Sequence, residues 1–242
     1  MIVAIDIGNT SVKFGVFDGG RLVAVERVQG GAAGENLFPI GAIAAADEVV
    51  AVSSSPANSA GLAGKLGRSV RLLGDEVRAA VPTTYARAAE LGLDRIAAAW
   101  GARALRGGRA LVIADLGTAI TVDALDAQGR LVAIAIAPGL DAARDGLARA
   151  AGHLPLPVTS PGEVAVPARG TADSLRAGFV LGLAGLVDRL METAARAAGG
   201  VEVAVVTGGA APALSPHLAT AHVCEPHAVL RGVIELHRAV PA

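Results

Sequence analysis

"AIDIGNTSVKFGVFDGGRLVA" (residues 4–24) and "IADLGTAITVDALDAQGRLVA" (residues 113–133) are one pattern written twice, 109 positions apart. Aligned without a gap, the two share Asp6/Asp115, Gly8/Gly117, Gly20/Gly129 and the run Arg21–Ala24 against Arg130–Ala133. Each copy reads as an apolar strand, a D-x-G-[NT] bend, an alternating strand, a polar turn and a third strand. A duplication of so long a period predicts two similar halves rather than a solenoid. The halves are expected over residues 1–107 and 108–242, meeting at Gly107–Gly108.

The remaining sequence supports that division. "EVVAVSS" (48–54) reads as a buried strand of the first half and "VEVAVVTGG" (201–209) as its counterpart in the second. "LDRIAAAWGARAL" has helical character and stops at the glycine pair. "TADSLRAGFVLGLAGLVDRLMETAARAA" (171–198) predicts one long helix, with Leu175, Leu186 and Leu190 suggesting its buried stripe. Residues 155–170, with four prolines and two glycines, are expected to form a long loop.

Composition narrows the function. The 242 residues suffice for a sizeable core. Net charge is −1, aromatics are few and no basic run occurs, so nucleic acid is not an expected partner. Cys224 is the single cysteine and cannot form an internal disulfide. Asp6 interrupts the first apolar stretch, against a signal sequence, and no apolar run approaches the about 20 residues of a membrane span. A cytoplasmic, soluble protein is expected. The 21 basic residues comprise 19 arginines and only Lys13 and Lys65. A lysine within the first bend-and-strand unit suits a phosphate as a compact point charge, although a solvated lysine would look the same in sequence.

The bends suggest a chemistry. Two D-x-G-[NT] bends in pseudo-symmetric halves can place two carboxylates near a metal–phosphate group across a cleft. Glycine lets backbone approach phosphate oxygens, and Asn9, Thr10 and Thr118 can donate hydrogen bonds. Mg²⁺ typically binds through one or two carboxylates plus substrate phosphates. The plainer alternative is that Asp and Gly merely favour the turns.

The duplicated bend together with "TGG" at Thr207–Gly209 resembles the acetate kinase, sugar kinase, Hsp70 and actin superfamily. Within it the chain resembles the type III pantothenate kinases. The resemblance is carried by "DIGNTSVK" at the start, "VSSSP" at 52–56, "GLDRIAAAWGAR" at 92–103, "DLGTAITVD" at 115–123, "IAPGL" at 136–140, "HLP" at 153–155 and "TADSLRAG" at 171–178, in that order. It implies an α/β fold of two ribonuclease H-like halves with mixed sheets flanked by helices, clamping ATP. The implied reaction is ATP-dependent phosphorylation of pantothenate, the first step of coenzyme A synthesis, by a homodimer using Mg²⁺ and a monovalent cation, K⁺ or NH₄⁺.

Residue roles follow from the same resemblance. The acid of the G-x-D-R motif, Gly92-Leu93-Asp94-Arg95, is implied as the base that activates the substrate hydroxyl. A carboxylate within reach of a primary alcohol can accept its proton during phosphoryl transfer, and the cationic Arg95 can hold substrate or offset developing charge. From the residues alone, Asp94 also reads as an N-cap. Asp6 is implied in Mg–ATP binding, with Gly8, Asn9, Thr10 and Lys13 in the ATP segment and Thr118 at the nucleotide. Asp115 is implied at the monovalent cation, and Tyr85 and Thr171 at the substrate. Tyr85 equally suits packing, and Thr171 an N-cap. Two positions depart from the family pattern, Ala133-Ile134 where a glycine pair is common and Ala98 where an Asn often stands. A different small-metabolite kinase and a catalytically silent relative remain as alternatives.

Overall fold

The computed structural model describes residues 1–29, 40–55, 59, 62–107 and 110–240. Pro56 of the VSSSP motif and Gly108 of the expected boundary lie outside them. The chain divides into two compact units, Met1–Gly107 with His227–Ala242, and Gly108–Pro226.

In the first unit, β1 (Ile2–Ile7), β2 (Ser11–Asp18), β3 (Arg21–Gln29), β4 (Glu48–Ser53) and β5 (Arg71–Leu72) form a sheet of order β3-β2-β1-β4-β5. The first three strands are an antiparallel meander; β4 adds parallel to β1, and β5 parallel to β4. Helices α1 (Ile40–Ala45), α2 (Leu62–Leu66), α3 (Asp75–Ala80) and α4 (Leu93–Arg106) belong to the same unit. In the second, β6 (Leu111–Leu116), β7 (Ala119–Leu125), β8 (Leu131–Pro138), β9 (Val203–Thr207) and β10 (Val223–Cys224) repeat the order and senses of the first sheet. Helices α5 (Leu140–Ala150), α6 (Thr171–Ala197) and α7 (Ala211–Leu214) accompany it. The duplicated α/β architecture is as expected.

Central strands explain why the apolar runs are continuous. β1 is buried from Val3 to Ile7. Val3, Ile5 and Ile7 join a core with Phe14, Val16, Val49 and Leu62. A strand covered on both faces has no polar side. In the second unit Val112, Ala114 and Leu116 pack with Ile120, Val180, Val187 and Met191.

The expected second half, 108–242, is corrected at its end. Helix α8 (Ala228–Ala239) belongs with the first unit, packing on β1 and most extensively on α4. Small residues allow the close crossing. A Cβ on Gly101 would lie 1.8 Å from the Ala228 carbonyl oxygen, and one on Gly232 1.7 Å from that of Ala97. Two Ala-x-x-x-Gly ridges, Ala97/Gly101 and Ala228/Gly232, thus meet backbone to backbone.

The gapless alignment of the two hairpins conceals two compensating shifts. Asp6 pairs with Lys13 and Ile7 with Val12, whereas Asp115 pairs with Thr121 and Leu116 with Ile120. The second bend is therefore one residue shorter. The following turn is one residue longer, since Phe17 pairs with Leu22 but Leu125 with Leu131. A one-residue slip exchanges the faces of a strand, so the true counterpart of Lys13 is Thr121, not Val122. Burial agrees, because β2 and β7 share one pattern from their second residues onward.

Helix α6 runs over Thr171–Ala197 as expected, but its buried stripe is Val180, Ala184, Val187, Met191 and Ala194. Leu186 and Leu190 flank that stripe half-buried, and Leu175 lies in a surface groove. Residues 155–170 contain no helix or strand. Arg176 of α6 organises their middle, with Nε on the Glu163 carbonyl at 2.9 Å, Nη1 on Val158 at 2.8 Å and Nη2 on Gly162 at 2.9 Å.

Candidate active site

In the first unit the sheet delivers two charges to one spot. Asp6, near the end of β1, and Lys13, near the start of β2, are directly opposed. Lys13 Nζ stands 3.3 Å from Asp6 Oδ2. Asp6 is buried, and burial raises its pKa above the ordinary carboxylate value; the Lys13 charge opposes that rise, and the nearby Asp94 carboxylate adds to it. Gly8 closes the bend, donating from its N–H to the Ser11 carbonyl at 3.1 Å, while Asn9 and Thr10 are exposed.

Asp94 reaches this region from the amino end of α4. The N-cap is Gly92, which makes no side-chain cap, so the N-cap reading of Asp94 is corrected. Asp94 sits one position inside the helix, where its Oδ1 accepts from the Arg95 N–H at 2.9 Å. A Cβ on Gly92 would lie 2.5 Å from that oxygen, so a larger residue there would displace the carboxylate. Arg95 is only 5% exposed. Its Nη1 donates to the Tyr85 hydroxyl at 3.0 Å, and the guanidinium lies 5.6 Å from the ring centroid. A buried guanidinium requires such partners. Leu93 is buried beside it. Arg78 of α3 anchors the approach to the motif, donating from Nε to the Leu91 carbonyl at 2.9 Å.

The second unit builds its bend differently. Asp115 Oδ1 is inaccessible to solvent. Gly117 donates to the Ala119 carbonyl at 3.1 Å, and Thr118 is exposed beside it. Gly139, just before α5, donates to the Thr118 carbonyl at 3.0 Å, and a Cβ there would lie 2.2 Å from the Gly117 oxygen. Gly208 of the TGG motif has φ +96°, and its Cβ would lie 2.5 Å from Asp115 Oδ1. Three glycines therefore bring backbone against one carboxylate and one exposed threonine.

The structure brings together Asp6, Lys13 and Asp94 with Arg95 and Tyr85 in the first unit, and Asp115, Gly117 and Thr118 in the second. Thr171 belongs to the second unit. It is the first residue of α6 rather than its N-cap, which is Gly170, and it lines a groove of about 460 Å³ between α5 and α6 with Leu147, Leu175 and Phe179. The departures from the family pattern serve packing, since Ala98 is 2% exposed within α4 and Ile134 packs on the second core. The residues missed by sequence reasoning are Gly139, Gly208 and Thr121; only the last was hidden, by the compensating shifts.

Donor chemistry suits a divalent ion carried in with phosphate. Among the described residues no cluster of three or more His, Cys, Asp or Glu forms a cage of its own. One or two carboxylates with phosphate oxygens is the usual Mg²⁺ arrangement.

Comparison with known proteins places this geometry. The type III pantothenate kinase family model matches residues 2–193. A type III pantothenate kinase of Acidothermus cellulolyticus is 34% identical over 96% of this chain and 96% of its own. That of Rubrobacter xylanophilus is 33% identical over 98% and 97%. Among solved structures, a protein from Campylobacter jejuni described as a Baf family transcriptional activator aligns with a TM-score of 0.63 at 18% identity, covering 98% of each chain. A ROK family glucokinase of Streptomyces griseus aligns with a TM-score of 0.54 at 17% identity, covering 98% and 99%. These structural likenesses bear on the fold.

Proposed function

The chain belongs to the type III pantothenate kinase family, and from that premise we propose that it transfers the terminal phosphoryl group of ATP to the primary hydroxyl of pantothenate, the first step of coenzyme A synthesis. The observation that supports this reading most directly is the Asp94 carboxylate, held at the start of α4 close enough to Asp6 to raise its pKa.

Asp94 accepts the hydroxyl proton as the substrate oxygen bonds to the γ-phosphorus; the bond from that phosphorus to the bridging oxygen breaks, and ADP leaves. Arg95, its guanidinium steadied by Tyr85, holds the anionic substrate with Gly92 and Leu93 shaping the turn. Asp6 would hold Mg²⁺ with the ATP phosphates, and the ion would supply charge neutralisation there. Lys13 contributes an ammonium to the phosphates, and Gly8, Asn9, Thr10 and Thr118 contribute backbone and side-chain donors. Asp115 would hold a monovalent cation.

A homodimer in the cytoplasm belongs to the same proposal. The α5–α6 groove carrying Thr171 is apolar, and Leu156, Val158 and Val166 of the adjoining loop are exposed. Exposed apolar groups of this kind suit contact with another protein surface. The decisive test is ADP release by purified protein across a small panel of alcohols. Release dependent on pantothenate is expected; ADP release indifferent to pantothenate would refute the assignment.

A further inference from the structure

Helix α4 carries Asp94 in its first turn, and its far end borders a second cavity. Beyond the close crossing at Gly101 and Gly232, a crevice of about 340 Å³ lies between α4 and α8, lined by Trp100, Arg103 and Ala104 of the one and by Glu235, Arg238 and Ala239 of the other. All six residues belong to the first unit. Arg103 follows Asp94 by nine positions on the same helix, about 14 Å along its axis at about 1.5 Å per residue, so the crevice is separate from the active site. Its two guanidiniums come from different helices. That of Arg103 lies over the Trp100 ring, 4.6 Å from the centroid. Stacking engages the face of a guanidinium and leaves its N–H edge able to donate. Arg238 pairs with Glu235 at 3.4 Å, with side chains 50% and 30% exposed. A charged hydrogen bond at full strength spans about 2.7–2.9 Å, and exposed pairs contribute little, so a ligand can draw Arg238 away.

We propose that this crevice binds an organic phosphate monoester, its phosphoryl group between Arg103 and Arg238 and its organic part against Trp100, Ala104 and Ala239. Two guanidinium forks approaching from two helices suit the tetrahedral oxygens of a phosphate, whereas a planar carboxylate is satisfied by one fork. The volume lies at the lower end of the about 300–1,000 Å³ typical of small-molecule sites, and a bare phosphate ion would leave most of it unfilled. Both helices end beside the crevice, and each C-terminal partial charge weakens anion binding by about two- to five-fold. Each guanidinium strengthens it by about ten-fold or more, so the arginines decide the sign. The inference is independent of the kinase reading.

Trp100 is the single tryptophan of the chain, so its fluorescence reports on this crevice directly. The full chain is titrated with ribose 5-phosphate, phenyl phosphate, inorganic phosphate and succinate, and thermal unfolding is followed with each, because a ligand bound only by the folded state raises the midpoint. Both monoesters should give a saturable fluorescence change and a higher midpoint, with inorganic phosphate and succinate binding more weakly. Arg103→Gln and Arg238→Gln should each weaken monoester binding by about ten-fold or more. Glu235→Gln should bind at least as tightly as the parent, since the carboxylate competing for Arg238 is gone. Asp6→Asn should bind as the parent does, which separates the crevice from any phosphate seat at the first bend. Should an arginine variant fail to fold, the Glu235→Gln and Asp6→Asn titrations still decide. No saturable response to either monoester overturns the proposal. So does binding that survives both arginine substitutions, binding lost in Asp6→Asn, binding weakened in Glu235→Gln, or a response to inorganic phosphate or succinate equal to that of the monoesters.

Discussion

The bend at Asp6 and the bend at Asp115 descend from one pattern yet do opposite things with their carboxylates. The first brings side chains to Asp6: Lys13 from the neighbouring strand and Asp94 from α4, with Ser53 one position beyond its β4 neighbour Val52. The second sets Asp115 between Thr121 and Thr207 and brings backbone close to it, the residue corresponding to Ser53 being Gly208 at φ +96°. Side chains bring protons and charge, which suits chemistry. Bare backbone brings close approach and oxygen ligands, which suits binding. A duplicated scaffold divides labour by changing what stands next to a residue that itself does not change.

The sharpest way to break that division is at Asp94. Asp94→Asn keeps an oxygen to accept from the Arg95 N–H, so helix α4 should start normally, while turnover falls by about 10²–10⁴-fold, the usual worth of a general base. Steady-state rates with circular dichroism as the control check this. The corresponding change in the other unit, Asp115→Asn, should raise the K⁺ requirement. Equal, salt-independent losses in both variants would abolish the distinction.

A smaller effect separates the bends by backbone. Gly208→Ala forces a Cβ within 2.5 Å of Leu116 backbone atoms at a positive φ, whereas Gly8→Ala meets only the Ser11 oxygen at 3.1 Å. Denaturant unfolding should show the former destabilised by about 1–3 kcal/mol, the scale of overpacking, and the latter by less. Comparable values would mean that the second bend is no tighter than the first.

The smallest effect runs in the opposite direction. Burial raises the pKa of Asp6 above 3.8, so the folded state binds that proton more tightly than the unfolded chain. Stability is then lost as pH rises from 3.8 through the raised value. Asp6→Asn should therefore unfold at a higher temperature than the parent at neutral pH, with the gap narrowing towards acid, although Mg²⁺-dependent turnover is lost. A variant less stable than the parent at neutral pH would show that the ion pair with Lys13 outweighs the burial of the carboxylate.

Much of this was legible in the chain because local rules decided it. The strand–bend–strand copies are periodic, and the helix over Leu93–Arg106 ends on Gly107 in the left-handed region, as a glycine stop predicts. Elements decided by distant partners were not. An Ala-, Gly- and Leu-rich helix such as α6 offers several stripes, and only the neighbouring sheet selects the one through Val187 and Met191. Gly92 takes the N-cap, and Asp94 stands two positions further in, where its Oδ1 accepts from the Arg95 N–H. Thr121 was concealed because an alignment without gaps scores identity and ignores register. The attachment of α8 to α4 left a trace, the paired Ala-x-x-x-Gly spacings, that acquires meaning only when both are read together.

The same attachment orders events on the ribosome. The second unit is one uninterrupted stretch, Gly108–Pro226, while the first is completed by residues that follow it. During synthesis the later-encoded unit has all its residues in hand while the earlier one still lacks the helix that covers β1 and α4. Domains usually fold in the order in which they are made; here the second unit is expected to reach its native state first. Nascent chains stalled after Pro226 should then protect residues 110–226 from protease while the first sheet stays susceptible, and release of the last helix should seal it.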